Sequence, residues 1–142
     1  MILLDTNVLI YAFASESPFH AWARSVIADS VATEGVVVNA VCLAELCVGD
    51  ADPETVVDRI RSYGVSIMDV PVACAAPAAA AYQRYLKNRK SGGHGSASRI
   101  PLPDFFIGAH ALTMNWQLAT ADQGRFGTYF PGLQLLMPPQ QP

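Results

Sequence analysis

Short apolar runs alternate along this chain with longer segments of helical pattern, and this alternation limits the folds open to it. Five runs are predicted to be strands, the last at an edge: residues 2–4, 36–38, 65–68, 117–119 and 133–136. Helices are predicted at about residues 7–14, from Pro18 onward, and at 40–48, 53–62, 77–90 and 103–114. Strands that alternate with helices build a sheet covered on both faces. The pattern therefore predicts the α/β class, as a single-domain three-layer α/β/α sandwich with a mostly parallel central sheet.

The length and composition of the chain fit one domain. It has 142 residues, of which 51% are hydrophobic and 15% charged, enough for a packed core. We expect residues 1–136 to form the domain and residues 137–142 a Pro/Gln-rich C-terminal tail. The chain opens on an apolar run that contains Asp5, unlike a secretory signal, and its most apolar long stretch, residues 70–82, is too short to span a bilayer. We therefore expect a cytoplasmic protein with no membrane segment.

Net charge and cysteine content argue against two classes of protein. The net charge of −3 does not suit a protein that coats nucleic acid nonspecifically. The three cysteines are odd in number and show no C-x-x-C spacing, so they indicate neither a disulfide framework nor a zinc knuckle. The chemistry of this chain is therefore expected to depend on other side chains.

Four acidic residues stand in apolar sequence, where an ionised carboxylate is costly to bury. Asp5 follows Met-Ile-Leu-Leu, Asp104 precedes Phe-Phe-Ile, and Asp122 follows Leu-Ala-Thr-Ala. Glu45 lies in residues 40–48, a segment that is apolar nearly all round and predicts an interior helix. None of the four has a Lys or Arg within two positions. A divalent cation, which takes oxygen ligands, would neutralise several at once, so the four together predict a metal-dependent enzyme.

Each acid also has a structural explanation when taken alone. Asp5 could cap the following helix, Asp122 could be a turn residue, and Asp104 could complement a helix dipole. Glu45 could be a lone buried carboxylate with a remote Arg partner. Two of the four, however, directly follow predicted strands, and ligands of parallel sheets bind at the carboxyl ends of strands. The convergence of all four favours a shared site over four separate structural roles.

The order and spacing of these motifs resemble the PIN-domain ribonucleases, and most closely the VapC-type toxins of bacterial toxin–antitoxin pairs. The stretches that match are Leu4-Asp5-Thr6-Asn7-Val8-Leu9-Ile10, Ala44-Glu45-Leu46, Asp104-Phe-Phe-Ile-Gly-Ala109 and Thr120-Ala-Asp122-Gln-Gly-Arg-Phe126. The resemblance implies a small α/β/α domain that cleaves RNA with Mg²⁺ or Mn²⁺, is usually dimeric, and is held inactive by a cognate antitoxin. The acidic site of the family maps onto Asp5, Glu45, Asp104 and Asp122, with Asn7 and Thr120 at its supporting polar positions.

Within this reading, the four acids divide by role. Mg²⁺ typically takes one or two carboxylates directly and keeps several waters. We expect Asp5 and Asp104 to be direct ligands, and Glu45 and Asp122 to orient metal-bound water or hold a second ion. Thr120 could hydrogen-bond a site carboxylate or cap the next helix. Gly108, one turn after Asp104, could leave room for a phosphate or allow close helix packing.

Basic residues cluster late in the chain. Five of the nine fall within sixteen positions: Arg84, Lys87, Arg89, Lys90 and Arg99. They could steer an RNA backbone toward the acidic pocket, or they could be a solvated helix end. Arg125 could contact a phosphate, balance the acidic cluster or lie on the plain surface. The segment 91–98 is rich in glycine and serine and predicts a loop, in which substrate choice could reside.

Rival functions make distinct demands on the sequence. A phosphoacceptor signalling domain needs a Lys at the end of a late strand, whereas the two lysines here, Lys87 and Lys90, lie on a predicted helix. A haloacid-dehalogenase-like phosphatase needs Asp-x-Asp after the first strand, and this chain has Asp5-Thr6-Asn7. Two alternatives remain open: a noncatalytic nucleic-acid-binding module and a DNA-directed nuclease of the same fold.

Overall fold

The computed structural model describes residues 1–50, 52–91, 100 and 102–140, and its strands and helices alternate along the chain. The five strands are β1 (Ile2–Leu4), β2 (Val36–Asn39), β3 (Ser66–Met68), β4 (Gln117–Ala119) and β5 (Leu135–Leu136). The helices are α1 (Thr6–Phe13), α2 (His20–Thr33), α3 (Ala40–Val48), α4 (Pro53–Ser62), α5 (Ala75–Ser91), α6 (Leu102–Met114) and α7 (Gln123–Tyr129). A 3₁₀ turn at Val72–Cys74 leads into α5.

All strand pairs are parallel, in the order β3-β2-β1-β4-β5. The strands β1 and β2 are buried at every residue, because helices cover both faces of a parallel sheet. The outer strands β3 and β5 have partly exposed side chains, and β5 is the edge strand expected near the chain end. The predicted α/β/α class and parallel sheet are therefore confirmed.

The prediction that α3 lies in the interior is wrong. Of its nine residues only Cys42 and Leu46 are buried, Glu45 is exposed, and Val48 is 88% exposed. The helix packs one face on the core, and its apolar outer face lies at the surface of the described chain. The helix is apolar on nearly every face but buried on only one, because no other element of the described structure covers its outer face.

No helix in the described parts of the chain combines the length and the apolarity needed to cross a bilayer. Helix α7 was not among the predicted segments. It begins after Asp122, whose carboxylate accepts a hydrogen bond from the backbone N–H of Arg125 at 3.2 Å. Asp122 is thus a helix N-cap, a role for which Asp is favoured.

Candidate active site

Asp5 lies directly after β1, at the carboxyl end of the central strand. It occupies the N-cap position of α1, but its side chain makes no capping hydrogen bond. Its Oδ2 instead accepts a 2.9 Å hydrogen bond from the hydroxyl of Thr120, and the residue is only 5% exposed. The capping explanation for Asp5 therefore does not hold, and its carboxylate is directed to the neighbouring strand end.

Thr120 joins the ends of β1 and β4. These strands are neighbours, and the backbone N–H of Asp5 donates to the carbonyl of Ala119 at 2.9 Å. The Thr120 hydroxyl is fully buried, donates to Asp5 and accepts a 3.0 Å hydrogen bond from the backbone N–H of Asp122. One side chain therefore fixes the Asp5 carboxylate and the turn that presents Asp122. Of the two roles left open for Thr120, the structure shows the hydrogen bond to a site carboxylate.

Glu45 approaches the same region from α3. Its Oε1 accepts a 3.0 Å hydrogen bond from the hydroxyl of Thr6, the residue that follows Asp5. Partial burial of the carboxyl group and the negative charge of Asp104 raise the pKa of Glu45, while Thr6 and Arg125 oppose the rise. Because the side chain as a whole is exposed, solvent screens this effect.

Asp104 lies in the first turn of α6 and is 5% exposed. Its Oδ2 accepts a short charged hydrogen bond from Arg125 Nη1. The Nε of the same guanidinium lies 3.3 Å from Asp122 Oδ2. Burial raises the pKa of Asp104, and the adjacent guanidinium opposes the rise. Arg125 thus bridges the carboxylates at the starts of α6 and α7.

The four acids are near enough to influence one another electrostatically. Burial, together with the charges of Asp104 and Glu45, raises the pKa of Asp5 from 3.8 to about 6, and the Thr120 hydrogen bond limits the rise. The charge of Asp122 likewise raises the pKa of Asp104. Within the described residues, however, no three Asp, Glu, His or Cys side chains stand close enough to enclose a cation. The acids share one region, but two of them are held by Arg125 and do not yet form a ligand shell.

The remaining residues predicted from sequence are distributed around this region. Asn7 is half-buried in the first turn of α1. The C-terminal half of α5 carries four of the predicted basic residues, Arg84, Lys87, Arg89 and Lys90. Arg84 Nη2 donates to the carbonyl of Tyr129 at 2.8 Å. The Arg89 guanidinium lies 5.7 Å from the centre of the Tyr85 ring. Arg99 and residues 92–98 of the predicted loop lie outside the described residues, and Ser91 ends α5.

Gly108 packs against the ring of Phe130. A Cβ added at Gly108 would lie 2.6 Å from Phe130 Cδ2 and 2.9 Å from Phe130 Cζ. Real Cβ atoms do not make contacts this close, so only glycine fits without movement of the ring. Of the two roles left open for Gly108, the structure shows close packing, and the space beside it is filled by an aromatic ring.

Sequence reasoning missed one polar residue of this region and left the role of another open. Thr6 was not singled out, although a hydroxyl directly after the first acid was a visible signal. Arg125 was given no single role, and it contacts both Asp104 and Asp122. Its position three residues after Asp122 matches one turn of helix, but α7 had not been predicted. The distance from Arg125 to Asp104 along the chain left no local pattern to find.

Comparison with known proteins places this chain in a family. A sequence model of the PIN domain matches residues 2–128. No curated protein matches the chain significantly by sequence. The fold is similar to that of a toxin–antitoxin complex from Klebsiella pneumoniae, with 22% identity, TM-score 0.68, and 99% of this chain and 100% of that chain covered.

Two further solved structures share the fold. One is VapBC2 from Rickettsia felis bound to a DNA fragment from its promoter, with 22% identity, TM-score 0.67, and 96% and 98% of the two chains covered. The other is VapC20 from Mycobacterium tuberculosis, a Sarcin-Ricin loop cleaving toxin, with 16% identity, TM-score 0.58, and 92% and 95% covered. The resemblance drawn from the motifs is confirmed: this chain belongs to the PIN domain family, and toxins of VapBC pairs share its fold.

Proposed function

We propose that this chain is a metal-dependent endoribonuclease, the toxin of a toxin–antitoxin pair that a cognate antitoxin neutralises. Four carboxylates from different parts of the chain approach the carboxyl end of a parallel sheet, and this observation carries the proposal. They belong to Asp5, Glu45, Asp104 and Asp122. Burial, together with the charges of Asp104 and Glu45, raises the pKa of Asp5 to about 6. A site that collects negative charge in this way favours a cation that neutralises it.

The residues present fit Mg²⁺ or Mn²⁺. Both are hard cations that bind oxygen; the four acids offer carboxylate oxygens, and threonine hydroxyls hydrogen-bond to Asp5 and Glu45. The Cys42 thiol also lies near Asp5, but burial raises its pKa to about 12, which disfavours a thiolate ligand for zinc there. Burial, the largest cause, and neighbouring carboxylates raise the pKa values of Asp5, Glu45 and Asp104, and a bound cation would favour their ionised forms.

We propose that Asp5 and Asp104 hold the cation directly, while Glu45 and Asp122 orient bound water or hold a second ion. Thr120 and Thr6 then fix the rotamers of Asp5 and Glu45 through hydroxyl hydrogen bonds. Asn7 is proposed to support the same site from the first turn of α1. A divalent cation supplies an activated water and stabilises negative charge on the phosphorus centre.

We propose RNA as the substrate, approached along the basic half of α5. The C-terminal half of α5 carries Arg84, Lys87, Arg89 and Lys90. Arg84 hydrogen-bonds to the carbonyl of Tyr129, the last residue of α7, and Arg125 lies in the first turn of that helix. Phosphate contacts from such residues supply sequence-independent affinity. That a structural neighbour is a Sarcin-Ricin loop cleaving toxin supports a cleavage function. Arg99, which belongs to the same basic group in the sequence, is proposed to extend it.

The partners are proposed from the relatives and from the surface. The structural neighbours include toxin–antitoxin complexes, which supports an antitoxin partner for this chain. An apolar groove of about 330 Å³ lies beside Glu45, lined by Val41, Ala44, Leu102, Pro103 and Phe106. Exposed apolar surface of this kind marks protein interaction sites. We propose that an antitoxin and a second copy of the chain cover such surfaces. We further propose that the nuclease domain spans residues 1–136. We also propose that this domain acts in the cytoplasm.

The experiment is to incubate the purified chain with RNA and with single- and double-stranded DNA, with Mg²⁺, with Mn²⁺ and with EDTA. Cleavage of RNA that EDTA abolishes is the expected result. Cleavage of DNA in preference to RNA would assign the alternative nuclease function. Binding of nucleic acid without cleavage under any of these metal conditions would assign the noncatalytic alternative.

A further inference from the structure

Arg125 makes three polar contacts with the acidic region, and together they hold two carboxylates. Its backbone N–H donates to Asp122 Oδ1 at 3.2 Å, and its Nε lies 3.3 Å from Asp122 Oδ2. Its Nη1 donates to Asp104 Oδ2, which belongs to a different helix. In the described parts of the chain, Arg125 is the one basic residue that forms an ion pair with any of the four acids.

These contacts use the atoms that a cation would use. A carboxylate that forms a charged hydrogen bond with a guanidinium has one strong acceptor direction already filled. A guanidinium and a divalent cation on the same pair of carboxylates also repel each other. With Arg125 in place, the described acids do not enclose a cation. The Arg125 side chain is 30% exposed, so its guanidinium has access to solvent.

We infer that Arg125 is a positioning residue. Its guanidinium holds the carboxylates of Asp104 and Asp122 when no divalent cation is bound, and it releases both when a cation binds. This inference rests on the proposed metal site and adds that Arg125 and the cation compete for the same two carboxylates. The guanidinium keeps the two helix starts together while the acids would otherwise repel one another. A cation can bind only if the Arg125 contacts break, and this free-energy cost lowers the measured affinity of the chain for the cation. The position of Arg125 therefore depends on whether the cation is bound.

The test is to titrate the purified chain and three variants with Mn²⁺ by calorimetry, and to measure thermal unfolding of each in EDTA and in Mn²⁺. The variants are Arg125→Gln, Arg125→Lys and the control Arg61→Gln, which removes an exposed guanidinium from α4. Arg125→Gln removes the competing charge, and we expect Mn²⁺ to bind about tenfold more tightly. Its Tm in EDTA should fall, and the rise in Tm with Mn²⁺ should exceed that of the unmodified chain.

Arg125→Lys keeps the charge but loses the planar fork that bridges two carboxylates. Its Mn²⁺ affinity should therefore lie between that of the unmodified chain and that of Arg125→Gln. Arg61→Gln should bind Mn²⁺ as the unmodified chain does. Affinity in Arg125→Gln that equals or falls below that of the unmodified chain would overturn the inference and leave the nuclease proposal standing. If Arg125→Gln does not fold, an unchanged affinity in Arg125→Lys overturns it equally. Absence of Mn²⁺ binding in all chains, together with absence of RNA cleavage, would overturn both proposals.

Discussion

The hydroxyl of Thr120 donates a 2.9 Å hydrogen bond to Asp5 Oδ2 across 115 positions of sequence. The two residues end adjacent parallel strands, so the sheet register brings them together. The same hydroxyl accepts from the backbone N–H of Asp122. A single fully buried side chain therefore positions one proposed ligand and the turn that presents another.

Replacement of Thr120 separates the hydroxyl from the shape of the side chain. Thr120→Val should lower the free energy of unfolding by about 1–3 kcal/mol, because it removes the hydroxyl that donates to the buried Asp5 carboxylate and accepts from the Asp122 N–H. Thr120→Ser keeps the hydroxyl and should recover most of the loss. Urea denaturation in EDTA measures both. Equal losses in the two variants would show that the methyl group, and not the hydrogen bond, matters at this position.

The raised pKa of Asp5 makes stability depend on pH in a defined direction. Folding raises this pKa from 3.8 to about 6, so the folded protein holds a proton that the unfolded chain has released. The stability contributed by Asp5 is fully present below pH 3.8 and is lost as pH rises through about 6. In EDTA, the unfolding free energy of the unmodified chain minus that of Asp5→Asn should fall over this interval. A difference that stays constant with pH would contradict the burial of Asp5.

Metal binding should show the complementary dependence. A cation needs the ionised carboxylate, so the affinity for Mn²⁺ should weaken as pH falls below about 6, and binding near that pH should release protons. Calorimetry in buffers of different ionisation enthalpy measures the proton release. Asp5→Asn should abolish the part of the release that belongs to this residue.

His110 provides a pH effect of opposite sign. The side-chain oxygen of Asn39 accepts from the backbone N–H of Cys42, which directs the Asn39 amide nitrogen to His110 Nδ1 at 3.1 Å. An amide nitrogen only donates, so Nδ1 accepts and Nε2 holds the hydrogen. Burial lowers the pKa of His110 below 6.5, and the associated stability is lost as pH falls below that value. Nitrogen NMR should show a titration midpoint below pH 6.5 and, above that midpoint, a neutral ring protonated at Nε2; a midpoint at or above 6.5 would contradict this account.

Gly108 offers a test of packing beside the site. Gly108→Ala should destabilise the fold by about 1–3 kcal/mol, because the new methyl group meets the Phe130 ring. Combined with Phe130→Leu, the same change should cost less than it does alone, and a double-mutant cycle from urea denaturation measures the difference. Strictly additive effects would show that the methyl group is accommodated elsewhere.

The central layer of this fold could be predicted from sequence because its strands are buried on both faces. Their apolar runs are continuous, so β1, β2 and β4 were found within one residue of their observed bounds. Of the four acids that stand in apolar sequence, Asp5 and Asp104 are buried, whereas Glu45 is exposed and Asp122 is half-buried, so sequence context alone did not predict burial. The outer face of α3 could not be predicted either, because apolar residues on a surface helix have the same pattern as apolar residues in a core.

Contacts between distant segments limited what could be predicted about the site. The bond from Thr6 to Glu45 crosses 39 positions, and the pair of Arg125 with Asp104 joins two helices across 21. Such contacts depend on how helices are placed over the sheet, which no local period records. The apolar context of the four acids singled them out, the motif resemblance gave them a common role, and the structure added the polar partners of each.

The central claim is that the four acids form one binding site for a divalent cation, and equilibrium Mn²⁺ binding tests it most directly. Loss of an outer partner of a metal ligand typically costs about 10–100-fold in affinity, so loss of a direct ligand in Asp5→Asn or Asp104→Asn should cost more than about 100-fold. Asp58→Asn, which neutralises an exposed carboxylate on α4, should bind Mn²⁺ as the unmodified chain does. Unmodified affinity in both Asp5→Asn and Asp104→Asn, with the fold intact, would contradict the claim.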